Sequence, residues 1–319
     1  MKLRCAVLDD LQGVATSVAD WSPVLDRVEV VGFAEHLAAE EELAGALAEF
    51  DIVVTLRERV PFPASLLARL PRLKLLVASG MRNSVIDYAA AERQGVTVCG
   101  TASSSTPAVE MTWALILGLA RGLVAENTAL RTGGPWQHTL GADLHGRRLG
   151  LLGLGKIGGR VAQVGLAFGM EVLAWSRNLT QERADEVGVT RAASLEQLLS
   201  TSDVVSVHLV LSDRTRGLLG DAELALLKPT AYLVNTSRAA IVDDGALIDV
   251  LRRGTIAGAG LDVFETEPLP ADHPFRTLPR LLATPHLGYV TESNYRRYYG
   301  DAVEDIQAFL AGTPIRRLG

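Results

Sequence analysis

Arg238, Glu267 and His286 are the residues of this chain best suited to chemistry, and each stands just beyond an apolar run. Arg238 follows "LVNTS", Glu267 follows "LDVFET" and His286 follows "LLATP". A cation, a carboxylate and an imidazole at such places can stabilise developing charge and move a proton. Singly, each has an ordinary reading: a helix-start surface arginine, a loop charge, a core histidine. Together, at the ends of successive strands, they suit the ligand crevice that a doubly wound sheet opens at the carboxyl ends of its strands.

A glycine loop says which ligand. "GLLGLGKIGGRVA" (150–162) carries Gly153, Gly155 and Gly158 in a G-x-G-x-x-G pattern, after an apolar strand and at the opening of a helix. Gly153 allows the tight turn, Gly155 lets the backbone approach a pyrophosphate, and Gly158 lets the helix pack close. Lys156 and Ile157 open that helix and belong to the expected cofactor site. With a dinucleotide there, the three strand-end residues could converge on its nicotinamide. The next strand, "MEVLAWS", ends in Ser176, Arg177 and Asn178. An acid there would bind the ribose hydroxyls of NAD and repel the 2′-phosphate of NADP. Without it, Arg177 can pair with a phosphate while Ser176 and Asn178 donate hydrogen bonds. The reading favours NADP; the alternative is a solvated Arg177 in a site that takes NAD loosely.

These residues need a frame to position them. Strand-like runs at 5–8, 28–33, 51–55, 73–79 and 96–100 alternate with helical patterns. A second series, at 148–155, 170–176, 203–209, 231–237, 258–264 and 280–286, follows a helical segment at 108–133 that the turn "GGPW" should end. The alternation predicts two α/β units with parallel sheets, the second of them doubly wound. Residues 291–312 read as one helix capped by Thr291, following the last strand and placed to pack back on the first unit.

Composition narrows the partners. Of 319 residues, 48% are hydrophobic and 21% charged, enough for two cores. The net charge of −6 and the lack of a basic block argue against nucleic acid or an anionic membrane as partner. "MTWALILGLA" is too short to span a bilayer, and "MKLRCAVLDD" is too broken by Asp9 and Asp10 for a signal peptide. Cys5 and Cys99 lack CxxC spacing and read as buried thiols in a reducing cytoplasm. The six histidines are scattered without ligand spacing, so no metal site is expected.

The motifs "GLLGLGKIGGRVA", "LVNTSRAAIVDDGALIDVLRRGTIAGAGLDVFETEPLP" and "LLATPHLG" together resemble the D-isomer-specific 2-hydroxyacid dehydrogenases. The similarity extends to "GVTVCGT" and "AVEMTWAL", so it runs along nearly the whole chain. The resemblance implies an α/β fold with a flavodoxin-like substrate domain built from both termini, and a Rossmann dinucleotide-binding domain inserted between. The expected bounds are 1–100 and 286–319 for the first and 101–285 for the second. It implies that Arg238 binds the carboxylate and carbonyl oxygen of a 2-keto acid. His286 would be the proton donor, with Glu267 as its partner. It further implies that Gly80 and Met81 offer backbone N–H groups to the carboxylate, with Arg82 adding a cation nearby. Asp262 would meet the nicotinamide carboxamide, Thr106 the nicotinamide side, and His208 and Thr236 further parts of the cofactor.

Two positions depart from the pattern. "SRAA" places Ala239 where a glycine is usual, and Tyr289 stands where small residues are common. Tyr289 could narrow the pocket, donate its hydroxyl to substrate, or simply pack. Arg82 could equally face solvent. The whole reads as a cytoplasmic NAD(P)H-dependent 2-keto acid reductase acting on a small acid. It should be a homodimer, because the long helix starting near Ala108 has a large apolar face. The competing readings are a dinucleotide-sensing regulatory protein of the same fold, and a relative acting on phosphite or formate.

Overall fold

The computed structural model describes residues 2–319. The chain forms two compact units. One runs to Ser104 and resumes at Val290; the other is Ser105–Tyr289.

The smaller unit holds five parallel strands: β1 (Leu3–Val7), β2 (Val28–Gly32), β3 (Ile52–Thr55), β4 (Leu75–Ala78) and β5 (Thr97–Gly100). Their order is β2-β1-β3-β4-β5, the flavodoxin-like arrangement. Parallel sheets are covered on both faces, so their strands read as unbroken apolar runs. "IVVT" and "LLVA" are buried at every position for that reason. The helix Glu292–Leu310 returns to this unit and packs on the helix Ala15–Val18 and on β4. Its first turn is capped as expected, with the Thr291 hydroxyl accepting from the Asn294 N–H. Beyond it, the chain lies along β5: the Gly100 N–H donates to Arg316 and the Leu318 N–H to Val98, each at 2.9 Å.

The larger unit holds seven parallel strands: β6 (Arg148–Leu152), β7 (Glu171–Trp175), β8 (Thr190–Arg191), β9 (Val204–Val207), β10 (Tyr232–Asn235), β11 (Gly258–Leu261) and β12 (Leu281–Ala283). The order β12-β11-β10-β9-β6-β7-β8 is doubly wound, and the direction of winding switches between β6 and β9. Two apolar clusters cover its faces. One gathers Leu152, Leu233 and Leu261; the other gathers Leu151, Val204 and Val234. β8 is two exposed polar residues, so no apolar pattern announces it.

One expected element is corrected. The segment 108–133 is not one helix but two, Thr106–Ala120 and Leu123–Arg131, bent by 63°. Gly122, at the break, has φ +59°, where a helix cannot continue. The first helix buries eight residues, among them Trp113 and Ile116. The second buries none. Among the described residues, the exposed apolar side chains of this region therefore belong to the second helix and the loop after it. Leu123, Val124, Leu130, Trp136 and Leu140 are all exposed there. Among the described residues no single helix is long and apolar enough to cross a membrane.

Candidate active site

At the switch point β6 runs into the glycine turn. Gly153 has φ +101°, and its N–H donates to the Trp175 carbonyl at 2.8 Å. A Cβ on Gly153 would lie 2.6 Å from the His208 carbonyl oxygen, and one on Gly158 only 2.1 Å from that of Gly153. The helix Lys156–Ala167 is thus pressed against the turn by backbone alone. Gly155, just before that helix, has nothing within 4 Å of where its Cβ would be. Open space beside helix-start N–H groups is what a pyrophosphate requires, so the chain's residues fit a dinucleotide. Lys156 is exposed beside that space and Ile157 is half-buried. Thr106 accepts a hydrogen bond from Arg160 on the same helix at 2.9 Å.

Ser176, Arg177 and Asn178 line one cavity of about 170 Å³. Its other wall comes from the loop after β9 and includes Ser212, Arg214 and Thr215. The sequence reading missed Arg214. The only signal for it was a cation in the loop following the strand across the switch point. His208 begins that loop. Its Nε2 lies 2.9 Å from the Ser206 hydroxyl, and burial pushes its pKa down to about 4. The ring is therefore neutral at pH 7, and its backbone carbonyl walls the glycine turn. The Thr236 hydroxyl is bonded to that of Thr112 at 2.8 Å.

β10, β11 and β12 are neighbours in the sheet, so the residues beyond their carboxyl ends come from adjacent strands. Arg238 follows β10 on a turn that the Asn235 side chain pins from within. That side chain donates to the Arg238 carbonyl and accepts from the Ser237 N–H, both at 3.0 Å. The Ser237 hydroxyl adds a bond to the Leu209 carbonyl at 2.6 Å. Ala239 then enters a 3₁₀ turn without positive φ, which explains why a Cβ is tolerated there.

Beyond β11, Glu267 reaches across to the loop after β12. Its Oε2 lies 2.6 Å from His286 Nδ1, while its Oε1 accepts from the Phe264 N–H at 2.9 Å. The pairing leaves Nε2 as the nitrogen able to exchange a proton with a substrate. His286 has φ +53°, a conformation that costs a bulky residue on the order of 1–3 kcal/mol. Asp262 supplies what holds it there. It is buried, and its carboxylate accepts from the Thr284 hydroxyl at 2.6 Å and from the N–H groups of Leu287 (2.8 Å) and Gly288 (2.7 Å). Burial raises its carboxyl above the usual range, against the pull of those three donors. Within the fold, then, Asp262 clamps the loop on both sides of His286, through the Thr284 side chain before it and two backbone N–H groups after it. Tyr289 is buried too, with its ring edge-to-face on the His286 ring at 5.3 Å between centroids.

In the smaller unit, Gly80 stands just past the end of β4 and also has φ +101°. Its N–H is already engaged, donating to the Thr101 hydroxyl at 3.1 Å. Met81 and Arg82 are exposed. The sequence reading missed two neighbours. Arg57, beyond β3, places Nη1 2.9 Å from where a Cβ on Gly80 would stand. The buried Asn83 donates to the Arg57 carbonyl at 2.8 Å and so ties the two loops together.

Residues 113–288 match the family model described as the NAD-binding domain of D-isomer specific 2-hydroxyacid dehydrogenases. The chain is 42% identical to a glyoxylate reductase of Aeropyrum pernix, over 85% of this chain and 83% of that protein. It is 34% identical to a D-3-phosphoglycerate dehydrogenase of Bacillus subtilis over 87% of its own length, but it spans only about half (52%) of that relative. The crystal structure of a phosphoglycerate oxidoreductase from Vibrio cholerae superposes with a TM-score of 0.92. That protein is 38% identical, and the match covers 97% of this chain and 99% of the other.

Proposed function

Because this chain belongs to the D-isomer specific 2-hydroxyacid dehydrogenase family, we propose that it reduces a small 2-keto acid, with His286 delivering the proton. The coarse activity follows from membership: an NAD-dependent oxidoreductase of 2-hydroxy acids. The observation that carries the finer reading is the 2.6 Å contact between Glu267 and His286, beyond adjacent strands and next to Arg238 in the sheet order. When bound at the glycine turn, the nicotinamide supplies the hydride.

The chain's own residues do the rest. Arg238 holds the substrate carboxylate and draws charge from the carbonyl oxygen. His286 passes the Nε2 proton to that oxygen as it becomes an alkoxide, so ketone, hydride and proton sum to the alcohol. Glu267, at Nδ1, orients the ring so that Nε2 faces the reaction. In oxidation the same imidazole takes the proton back. In the smaller unit the Gly80 turn, with Arg57 and Arg82 close by, is suited to an anionic group. Asp262 is proposed to meet the carboxamide in addition to clamping the loop.

A small substrate is favoured by the name of the Aeropyrum relative, a glyoxylate reductase. NADP is favoured by Arg177, with no acid at the end of β7. A homodimer would cover the exposed helix Leu123–Arg131 and Trp136. The free buried thiols of Cys5 and Cys99 suit a reducing cytoplasm.

The test is oxidation of NADPH and NADH, side by side, against glyoxylate, hydroxypyruvate, pyruvate and bulkier 2-keto acids. Turnover of at least one acid, faster with NADPH, is the expected result. Tight cofactor binding with no turnover of any acid would overturn the reading in favour of a sensor.

A further inference from the structure

The cavity at the end of β7 has a second cation that the ribose reading does not use. Arg177 comes from the loop after β7 and Arg214 from the loop after β9, and both line the same space of about 170 Å³. Neither guanidinium has an ion-pair or hydrogen-bond partner among the described residues. No Asp or Glu is among the residues lining the cavity; the other polar contributors are Ser176, Asn178, Ser212 and Thr215. Two like charges without a counter-ion around one small space cost energy in the free protein. A dianion with several acceptor oxygens converts that cost into binding.

Arg214 is also held in place. The Thr215 hydroxyl accepts from the Ser212 N–H at 2.8 Å and donates to the Val210 carbonyl at 2.7 Å. The N–H groups of Thr215 and Arg216 both return to the Ser212 carbonyl, at 3.0 and 2.9 Å. These bonds close a tight turn with Arg214 inside it. The backbone carrying the guanidinium is thus ordered before any ligand arrives, so less ordering is needed on binding. Arg177 is held more lightly, in a single turn closed by the Leu179 N–H donating to the Ser176 carbonyl at 3.1 Å.

We propose that Arg214 is a specificity-determining residue that grips the ribose 2′-phosphate of the cofactor from the wall facing Arg177, making the site a two-arginine clamp for a phosphate monoester. The inference rests on the NADP preference proposed above and deepens it. A lone arginine tolerates the phosphate; a clamp selects it.

Binding of fragments tests this without turnover. Calorimetric titration of adenosine 2′,5′-bisphosphate and of 5′-AMP gives an affinity ratio for the wild type, Arg214→Ala, Arg214→Glu and Arg177→Ala, with inorganic phosphate as a control for bare anion binding. Trp175 lines the cavity, so its fluorescence gives an independent signal. The wild type should prefer the bisphosphate. Arg214→Ala should cut that preference by about tenfold, as expected for one charge-assisted contact, and Arg214→Glu should abolish it. Wild-type preference that survives both Arg214 variants would sink the clamp while leaving the NADP reading standing on Arg177. A wild type without preference would remove both. Inorganic phosphate binding as tightly as the bisphosphate would also overturn it, since the site would then read any anion.

Discussion

Gly153 and Gly80 are the same local object in two sheets: a glycine at φ +101° just past the end of a parallel strand. What surrounds them differs. A Cβ on Gly153 would meet backbone, the carbonyl of His208 at 2.6 Å, and the next turn of chain is a twelve-residue helix. A Cβ on Gly80 would meet the tip of a side chain, Arg57 Nη1 at 2.9 Å, and the chain goes on through an irregular loop to the short helix Tyr88–Arg93. One turn is built from main chain and cannot give way. The other is shaped by long polar side chains and can. The rigid turn suits a cofactor whose pyrophosphate is invariant. The adjustable one suits the substrate role proposed for it, since the relatives are named for different acids, glyoxylate and 3-phosphoglycerate.

If the proton machinery belongs to the rigid unit, the largest effect should come from His286. His286→Ala should lower kcat by about 10²–10⁴-fold, the range of general acid catalysis, while dinucleotide affinity stays unchanged by fluorescence titration. Glu267→Gln should cost less, because the ring keeps a hydrogen-bond partner at Nδ1 but loses the charged one that fixes its orientation. Retained turnover in His286→Ala would place the proton donor elsewhere and break the division between the units.

The glycines themselves sharpen the contrast. Gly153→Ala should destabilise the fold by several kcal/mol, combining a backbone clash with a disfavoured φ (about 1–3 kcal/mol for the latter), and should abolish cofactor binding. Gly80→Ala carries the same φ penalty, but Arg57 can swing aside. It should fold, bind the dinucleotide normally and show a raised KM for the keto acid. Thermal unfolding with cofactor titration reads both. Equal damage from the two substitutions would mean that the smaller unit's turn is as rigid as the larger one's.

The same contrast explains what was legible in the sequence. Gly158 answers to Gly153 five residues before it, and Gly153 to its own positive φ, so they leave a motif even though the wall against Gly153 comes from distant His208. Glu267 and His286 follow recognisable strands, and the sheet order alone makes them neighbours. Arg57 and Asn83 act on Gly80 only because β3 and β4 pair, and Arg214 meets Arg177 only because β7 and β9 flank β6. Nothing local in "TLRERV" or "LSDRTRG" announces those meetings. The long helix was misread for a related reason. The apolar run continues through Gly122, and only the fold shows that the helix turns there while its burial stops.

Acid should separate the units further. His208 of the larger unit titrates near 6.5 when exposed but is pushed down to about 4 by burial in the folded chain. Between those values the unfolded chain holds a proton that the folded one does not. Its contribution is therefore complete above about pH 6.5 and is lost as the pH falls to about 4, at up to about 1.4 kcal/mol per pH unit. Asp305 of the smaller unit is raised by burial to about 7 from 3.8. Its effect has the opposite sign: stability is lost as pH rises through that interval. The two intervals overlap and the two effects oppose each other, so in denaturation curves from pH 4 to 7 His208→Gln should tilt stability toward falling with pH and Asp305→Asn toward rising with it. An unchanged slope in His208→Gln would mean that this ring does not titrate with folding.

The smallest effect is expected at Tyr289, a position for which the family resemblance implied a small residue. Its ring meets that of His286 edge-to-face, an arrangement worth about 0.5–1.5 kcal/mol beyond area burial. Asp262 fixes the His286 backbone and Glu267 fixes Nδ1, so the tyrosine has only the remaining rotation of the imidazole to restrain. Tyr289→Phe keeps the ring and should keep kcat within about twofold. Tyr289→Ser removes it and should lower kcat by about two- to tenfold, the same free energy expressed as a rate, with dinucleotide affinity unchanged. If instead the hydroxyl touched substrate, Tyr289→Phe would raise KM for the keto acid as much as Tyr289→Ser does. Steady-state constants for the two variants therefore decide whether this residue works through His286 or on the substrate itself.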